Sequence, residues 1–550
     1  MAVKSSLAPH IYALADAAYQ AMLGKGSTGP QNQCCVISGE SGAGKTESTK
    51  FIICQLVELS QGTSQLEQQI LQVNPLLESF GNAQTLMNDN SSRFGKYIQL
   101  KFHAGTVVGA KISEYLLEKS RVAMQSSGEE NFHIFYYLFA GLSQEEKKKY
   151  HLQTPEKYSY LSNGWDRRKQ KANQDHFGQL QNAMDLVGFL DEEQEDMFTI
   201  LSAVLTLGNM KFEEGDHEGA VIANAHASLK TAALLGVKSD KLEEVLTSTT
   251  TVMRGSCIKR RLKPHQAQDV RDATSKALYG RLFSWIVNKI NHLLAPSIES
   301  RDQHLTEIGI LDIFGFEHFE TNSFEQACIN LANEQLQFFF NQQHIFMWEQ
   351  EEYKKEGIDW TSISFQDNKP VLDLFLGKPI GILALLDEES HFPQSTDETF
   401  VQKLQKNCGD NKFFHISGRG QIDTFVINHY AGEVEYSSYG FLEKNRDTLP
   451  AGVMETLQHS DNELISTIFR GTITRTGTLA LQGRVMKGNQ IRRTRVSKGR
   501  QITPNTKKVT VGGQFKTSLS VLMEKMTAAS PHFIRCIKPN TSKVKLLHSY

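Results

Sequence analysis

The chain has 550 residues, 39% of them hydrophobic and 22% charged, which is ordinary for a globular protein but too long for one core, so several subdomains are expected. No apolar run approaches the roughly 18 residues of a membrane span, the N-terminus lacks the layout of a secretory signal, and seven cysteines without C-x-x-C spacing argue against a disulfide framework or a zinc site and fit a reducing compartment. The net charge of -2 hides an asymmetry: Arg470 to Met523 holds twelve Lys or Arg and no Asp or Glu, leaving 47 basic against 61 acidic residues elsewhere.

Pro9 to Met22 carries apolar residues at helical spacing and predicts an amphipathic helix. Cys34 to Lys50, CCVISGESGAGKTESTK, follows as an apolar run, a glycine-rich loop and a helix-compatible segment. Gly39, Gly44, Lys45 and Thr46 satisfy G-x-x-x-x-G-K-[ST], with a strand expected over Cys34 to Ile37 and a helix from Thr46 to Val57. The physics of that string is a phosphate cradle. Glu40, Ser41, Gly42 and Ala43 complete a loop whose backbone N–H groups turn inward on phosphate oxygens. Lys45 supplies a point charge for the β- and γ-phosphates, and the Thr46 hydroxyl is a ligand for Mg²⁺.

After a polar break at Ser60 to Ser64, Leu66 to Leu77 resumes a helical pattern, interrupted at Asn74 and Pro75. Asn82 to Lys96, NAQTLMNDNSSRFGK, is a polar loop before a hairpin-like pair of strands. Asn88, Ser91 and Ser92 there suit a metal-bound phosphate, with Arg93 to stabilise charge. Val122 to Leu305 reads as a mainly helical block, in which His133 is a satisfied, partly buried histidine rather than a ligand, because no second ligand sits at helical spacing.

Ile308 to Phe316, IGILDIFGF, is an apolar strand ending in Asp312, with Gly315 and Glu317 following at once. A carboxylate at a strand's carboxyl end is where an open α/β sheet holds its ligand. Asp312 suits an acid that steadies Mg²⁺ through water, and the small Gly315 lets its N–H approach a γ-phosphate. Ser323 then opens a long helical pattern, capped by Ser323 and Gln326 and stopped at Gly357. Phe365 to Phe392 reads as a helix-loop-helix with an apolar tip, Phe425 to Tyr436 alternates like strands, Phe515 to Met526 is helical, and His532 to Lys538 is a further sheet strand. The basic run is rich in Gly, Thr and Gln and reads as a mobile surface loop.

GESGAGKT, NDNSSRFGK and DIFGFE stand in this order, joined by YLLEKSRV, NFHIFY, LDEES, HYAGEVEY and EKNRDTLP. In these stretches, over nearly the whole chain, the sequence resembles the myosin motor domain, and the unusual basic loop with RDATSKALYGRLFSWIVNKIN is similar to unconventional classes near class III. The resemblance implies a P-loop NTPase fold: a twisted mixed central sheet with large, mostly helical upper and lower actin-binding subdomains. It implies the following division: 1–60 for the nucleotide loop, 61–310 for an upper subdomain, 311–469 for a lower one, 470–514 for the basic loop, and 515–550 for the return to the sheet.

By the same resemblance, Lys45 and Ser41 would hold the β- and γ-phosphates of ATP, Thr46 and Ser92 would ligate Mg²⁺, Asn88 and Ser91 would line the phosphate tube, and Gly315 would sense the γ-phosphate. Arg93 and Glu317 would form an ion pair that closes the site and positions the attacking water. Ser256, sixteen residues before Asp272, would occupy the actin-facing position that the family fills with an acidic or phosphorylatable residue. Glu130 stands where the family has a basic residue. The implied activity is an actin-activated ATPase of the actin cytoskeleton and cytoplasm, with filamentous actin as partner; a nucleotide-regulated actin tether with little motility is the alternative. The family's segment before the phosphate loop, its converter and the lever arm that carries light chains or calmodulin are expected to lie outside these residues. A nucleic-acid partner is not expected, because no aromatic platform accompanies the basic run.

Overall fold

The computed structural model describes residues 10–25, 29–60, 64–161, 164–215, 219–253, 256–297, 305–342, 350–358, 366–392, 394–417, 423–481 and 509–538. Its centre is a mixed five-stranded sheet of β1 (Gln33–Gly39), β2 (Gly95–His103), β3 (Thr106–Tyr115), β4 (Thr306–Asp312) and β5 (Ser530–Cys536), in the order β5-β1-β4-β2-β3. β1 runs parallel to both β4 and β5, while β2 is antiparallel to β4 and closes a hairpin with β3. Residues more than two hundred positions apart therefore become neighbours: Ile37 pairs with Asp312, and Asp312 with Lys96.

The alternation of the strands explains why the sheet is buried on both faces. Cys35, Ile37, Ile98, Leu100, Ile308 and Ile310 face one hydrophobic core, shared with helices α1 (Ile11–Met22), α2 (Lys45–Ser60), α3 (Ser64–Gly81) and the long α4 (Pro264–Leu293). Cys34, Val36, Tyr97 and Leu311 face a second core, built with α5 (Phe324–Phe339), the helix-loop-helix Lys369–Leu376 and Ile382–His391, and α6 (Val511–Thr527). Gly309 is small because the Tyr97 ring lies over it: a Cβ there would stand 1.9 Å from the Tyr97 hydroxyl oxygen.

Several expectations meet a different chain path. α3 continues through Pro75 to Gly81 instead of breaking. Pro75 cannot donate to the carbonyl one turn earlier, but Leu76, Leu77 and Phe80 are fully buried beyond it, and that packing outweighs one missing hydrogen bond. The block expected as mainly helical also contains the antiparallel pair Phe212–Gly215 and Gly219–Ile222. Of the pattern expected as one helix from Ser323 to Gly357, α5 and the short helix Gln350–Lys355 are described and fall within the expected bounds, and 343–349 lie outside the described residues. Of the basic run, a small hairpin (Thr472–Ile473 with Leu479–Ala480) and the start of α6 at Val511 are described, and 482–508 lie outside. Glu130 ion-pairs with Lys169 at 2.7 Å.

Candidate functional site

The site is assembled at the edge of the sheet where β1, β4 and β5 end and β2 begins. β1 ends at Gly39, and the next residues wrap into the N-terminus of α2. Gly42 and Gly44 have φ of 78° and 90°, a left-handed backbone that L side chains adopt at a cost. The loop therefore turns tightly enough to aim its N–H groups at one point. Lys45 is folded back over it, donating from Nζ to the carbonyls of Gly39 at 3.0 Å and Glu40 at 2.7 Å. Burial lowers the Lys45 pKa, an effect opposed by the nearby Asp312, Glu317 and Glu40 carboxylates.

Thr46, Ser92 and Asp312 converge from three segments. The Thr46 hydroxyl lies 3.5 Å from Ser92 Oγ and 3.5 Å from Asp312 Oδ1. Asp312 Oδ2 ion-pairs with Lys96 at 2.9 Å, both side chains being buried. This pair escapes a sequence reading because its members come from strands that meet only in the folded sheet. Two hydroxyls and one carboxylate suit the hard Mg²⁺ ion, which keeps several of its waters. Among the described residues no cluster of three or more His, Cys, Asp or Glu could hold a metal.

Gly315 packs directly on the phosphate loop. A Cβ there would lie 2.5 Å from the Ser41 amide nitrogen and 2.6 Å from the Gly39 carbonyl oxygen, so only glycine allows this approach. Glu317 then turns toward Arg93. The guanidinium donates from Nη1 to Glu317 Oε1 at 2.7 Å, from Nη2 to Oε2 at 3.3 Å and from Nη1 to Ser91 Oγ at 3.1 Å. Its Nε donates to Glu118 Oε2 at 2.6 Å.

Arg93 is fully buried, and burial alone would disfavour its charge. Glu118 and Glu317 reverse this and raise its pKa above the ordinary guanidinium value. Glu118 also accepts from Arg121 at 2.7 Å. Burial works against its charge, but Arg121 and Arg93 hold its pKa down at about 2. Glu118 was present in the YLLEKSRV stretch as a family match; its role as second carboxylate to Arg93 is visible only in three dimensions.

Ser41, Gly42, Gly44, Lys45, Thr46, Asn88, Ser91, Ser92, Gly315 and Glu317 line one cleft of about 200 Å³. Gly39, Glu40, Ala43, Arg93 and Asp312 are adjacent in the chain to these residues or bonded to them, but do not line the cleft themselves. Asn88 is held by its own loop, its amide donating to Thr85 Oγ1 at 3.2 Å and its Nδ2 to the Asn90 carbonyl at 3.1 Å. Beyond Asn90 opens a larger cavity of about 1080 Å³, lined by Lys50, His133, Tyr137 and His176 and by none of the phosphate-loop glycines. His133 is accounted for as expected: a ring nitrogen meets Asn90 Oδ1 at 3.1 Å, the ring stacks on Tyr137, and burial pushes its pKa down to about 3. Ser256 lies far from the cleft in sequence and pairs with Met253 at the closed end of the hairpin Ser248–Met253 and Ser256–Arg261.

A strand, a glycine loop and a helix in this order, with acidic and hydroxyl loops on the neighbouring strand ends, define a P-loop nucleotide-binding protein. The profile of the myosin head (motor domain) family matches residues 2–548, and the chain belongs to that family. It is 46% identical to mouse myosin-IIIb over 99% of its length and 43% of that protein's. It is also 46% identical to human myosin-IIIa over 97% of its length and 34% of the relative's, and 45% identical to a Dictyostelium discoideum myosin-I heavy chain over 98% and 22%. The chain thus spans less than half the length of these relatives.

Proposed function

We propose that this chain is an actin-activated ATPase that couples Mg-ATP hydrolysis to cyclic binding and release of actin filaments. The observation that carries the reading is the buried Arg93–Glu317 ion pair, which joins the loop before β2 to the loop after β4 directly over the phosphate cradle. Lys45 and the N–H groups of the glycine loop bind the β- and γ-phosphates, with Ser41 beside them. Thr46 and Ser92 hold Mg²⁺, with Asp312 acting through water. The metal neutralises charge developing on the phosphate oxygens when bound. Asn88 and Ser91 line the path of the γ-phosphate, and the Gly315 N–H meets its terminal oxygen. The Arg93–Glu317 pair excludes bulk water and orients the one water that attacks in line.

The partner is filamentous actin, met by the helix-loop-helix, where Ile380 in the connecting loop and Phe392 after the second helix are 53% and 60% exposed, and steered by the basic run from Arg470 through long-range attraction to acidic actin. Ser256, beside the turn of its hairpin, is a phosphorylation site whose added charge at the actin interface activates the motor. The working location is the actin cytoskeleton of the cytoplasm. No helix among the described residues is long and apolar enough to cross a membrane.

The test is sedimentation with filamentous actin at low salt, with and without Mg-ATP, alongside phosphate release. Release from actin by ATP together with actin-stimulated turnover is the expected result. Binding that ATP does not weaken would replace the motor with a tether. Equal actin activation of Ser256→Ala and Ser256→Glu proteins would remove Ser256 from the account.

A further inference from the structure

Behind Glu317, on the side away from the cleft, a run of fully buried polar groups returns to the same helix it starts from. Asn330 of α5 grips the Glu317 backbone with both ends of its amide: Glu317 N donates to Asn330 Oδ1 at 2.9 Å, and Asn330 Nδ2 donates to the Glu317 carbonyl at 2.8 Å. The same Nδ2 donates to the Tyr436 hydroxyl at 2.8 Å, and that hydroxyl lies 2.8 Å from His429 Nε2. His429 Nδ1 lies 2.9 Å from Glu334 Oε1, with neither side chain exposed to any extent. Glu334 is one turn beyond Asn330 on α5, so the two share a helix face. The circuit therefore spans that turn and fastens it to the hairpin Thr424–His429 and Gly432–Ser437.

The direction of every bond follows by elimination. Asn330 has one amide proton for each of its acceptors, and its oxygen is taken by Glu317 N. Burial raises the Tyr436 pKa, so the phenol keeps its proton, and that proton has His429 Nε2 as its acceptor. Nε2 is then the unprotonated nitrogen, and Nδ1–H donates to Glu334. Glu334 Oε1 also accepts from Tyr430 N at 2.9 Å, and Oε2 from Asn368 Nδ2 at 2.6 Å. Each donated proton in the circuit has one acceptor and the Glu334 carboxylate terminates it, so reversing one bond misplaces the others.

We propose that Tyr436, His429 and Glu334 are positioning residues for the hydrolysis step. They fix the Asn330 amide, and so hold Glu317 where it meets Arg93. The proposal rests on the reading of Arg93 and Glu317 given above. None of the three touches the phosphate cleft, so they act on the geometry of the closed site and leave nucleotide capture alone. Tyr436→Phe removes only the hydroxyl and keeps the ring packed. Glu334→Gln keeps the shape but leaves one acceptor oxygen where the carboxylate has two: with that oxygen toward His429 Nδ1–H and Tyr430 N–H its amide protons face Asn368 Nδ2, and with the amide turned they face His429 and Tyr430, so in either orientation a donor of the circuit loses its acceptor and the charge that ends it is gone.

The experiment uses the full chain with Mg-ATP and compares Tyr436→Phe, Glu334→Gln, their double variant and Glu317→Ala. Nucleotide affinity, the rate and amplitude of the phosphate burst on rapid quenching, and the melting temperature are measured for each. The expected result is a burst rate lowered about ten- to a hundredfold in each single variant, affinity within about twofold of the parent, and a double variant no worse than the singles because all act through one circuit. A parental burst in Tyr436→Phe and Glu334→Gln, with the burst lost in Glu317→Ala, would overturn the proposal and leave the site reading standing. A burst that survives Glu317→Ala would overturn the site reading and this proposal with it. Lost affinity with additive losses in the double variant would mark a folding defect and also overturn the proposal.

Discussion

Arg93 stands between two carboxylates with no route to solvent, and this makes it the most consequential single side chain of the site. Arg93→Met would leave Glu317 without its ion pair in a buried position, while Glu118 keeps Arg121. Breaking a buried pair from one side costs about 3–5 kcal/mol, so a clear fall in melting temperature is expected, together with loss of the phosphate burst. Glu114 behaves in the opposite sense. Its Oε1 accepts from Ser284, its Oε2 has no hydrogen-bond partner, and burial pushes its pKa from 4.5 up to about 7. The folded state therefore holds a proton that the unfolded chain releases. The favourable contribution is complete below about pH 4.5 and is lost as pH rises to about 7. Glu114→Gln is expected to raise the melting temperature at pH 8 and to change it little at pH 4.5, which a pair of thermal scans checks. Glu118, held at about 2, has the reverse dependence: its contribution is present above about pH 4.5 and fades as the pH falls toward 2.

At the scale of elements, local signals were most readable where residue type and spacing answer to one physical demand. β1, the loop and α2 could be read from the sequence because glycines, lysine and threonine at fixed offsets have few other uses. The strand ending in Asp312 was readable for a similar reason: an apolar run with a terminal acid has a specific place in an α/β sheet. α3 was harder, because Pro75 is a strong local breaker and only the buried Leu76, Leu77 and Phe80 show why the helix continues. Long-range polar pairs were not readable at all. Nothing near Lys96 in sequence indicates Asp312, and nothing near Glu334 indicates His429. Strand packing yields a further test: Gly309→Ala places a methyl group against the Tyr97 ring, and overpacking of this kind costs about 1–3 kcal/mol. Chemical denaturation should show that loss with an unchanged slope.

For the whole molecule, the concentration of positive charge predicts how partners are met. Twelve basic residues and no acidic ones lie between Arg470 and Met523, while the remainder is acidic. Replacing Arg492, Arg493 and Arg495 by Gln should slow actin association several-fold at low salt and matter little near 0.5 M salt, where the Debye length is about 4 Å. Actin co-sedimentation across a salt series checks this. Stopped-flow nucleotide binding should be unaffected, since none of the segment's described residues lines the phosphate cleft.

The way the sheet carries its loops has a mechanical consequence. The phosphate loop leaves β1 two residues past Ile37, the Gly315 loop leaves β4 at Asp312, and the Arg93 loop enters β2 one residue before Lys96. These three roots lie in one row of paired residues across neighbouring strands. The bases of the three loops are tied together by the ladder. A small rotation between adjacent strands, a fraction of the roughly 20° twist that sheets adopt, would shift all three bases in a single movement. The sheet then works as a torsion plate. Strain imposed at one strand end reaches the other loops without any side-chain relay, and substitutions deep in the sheet, far from any phosphate, should alter how tightly the cleft closes.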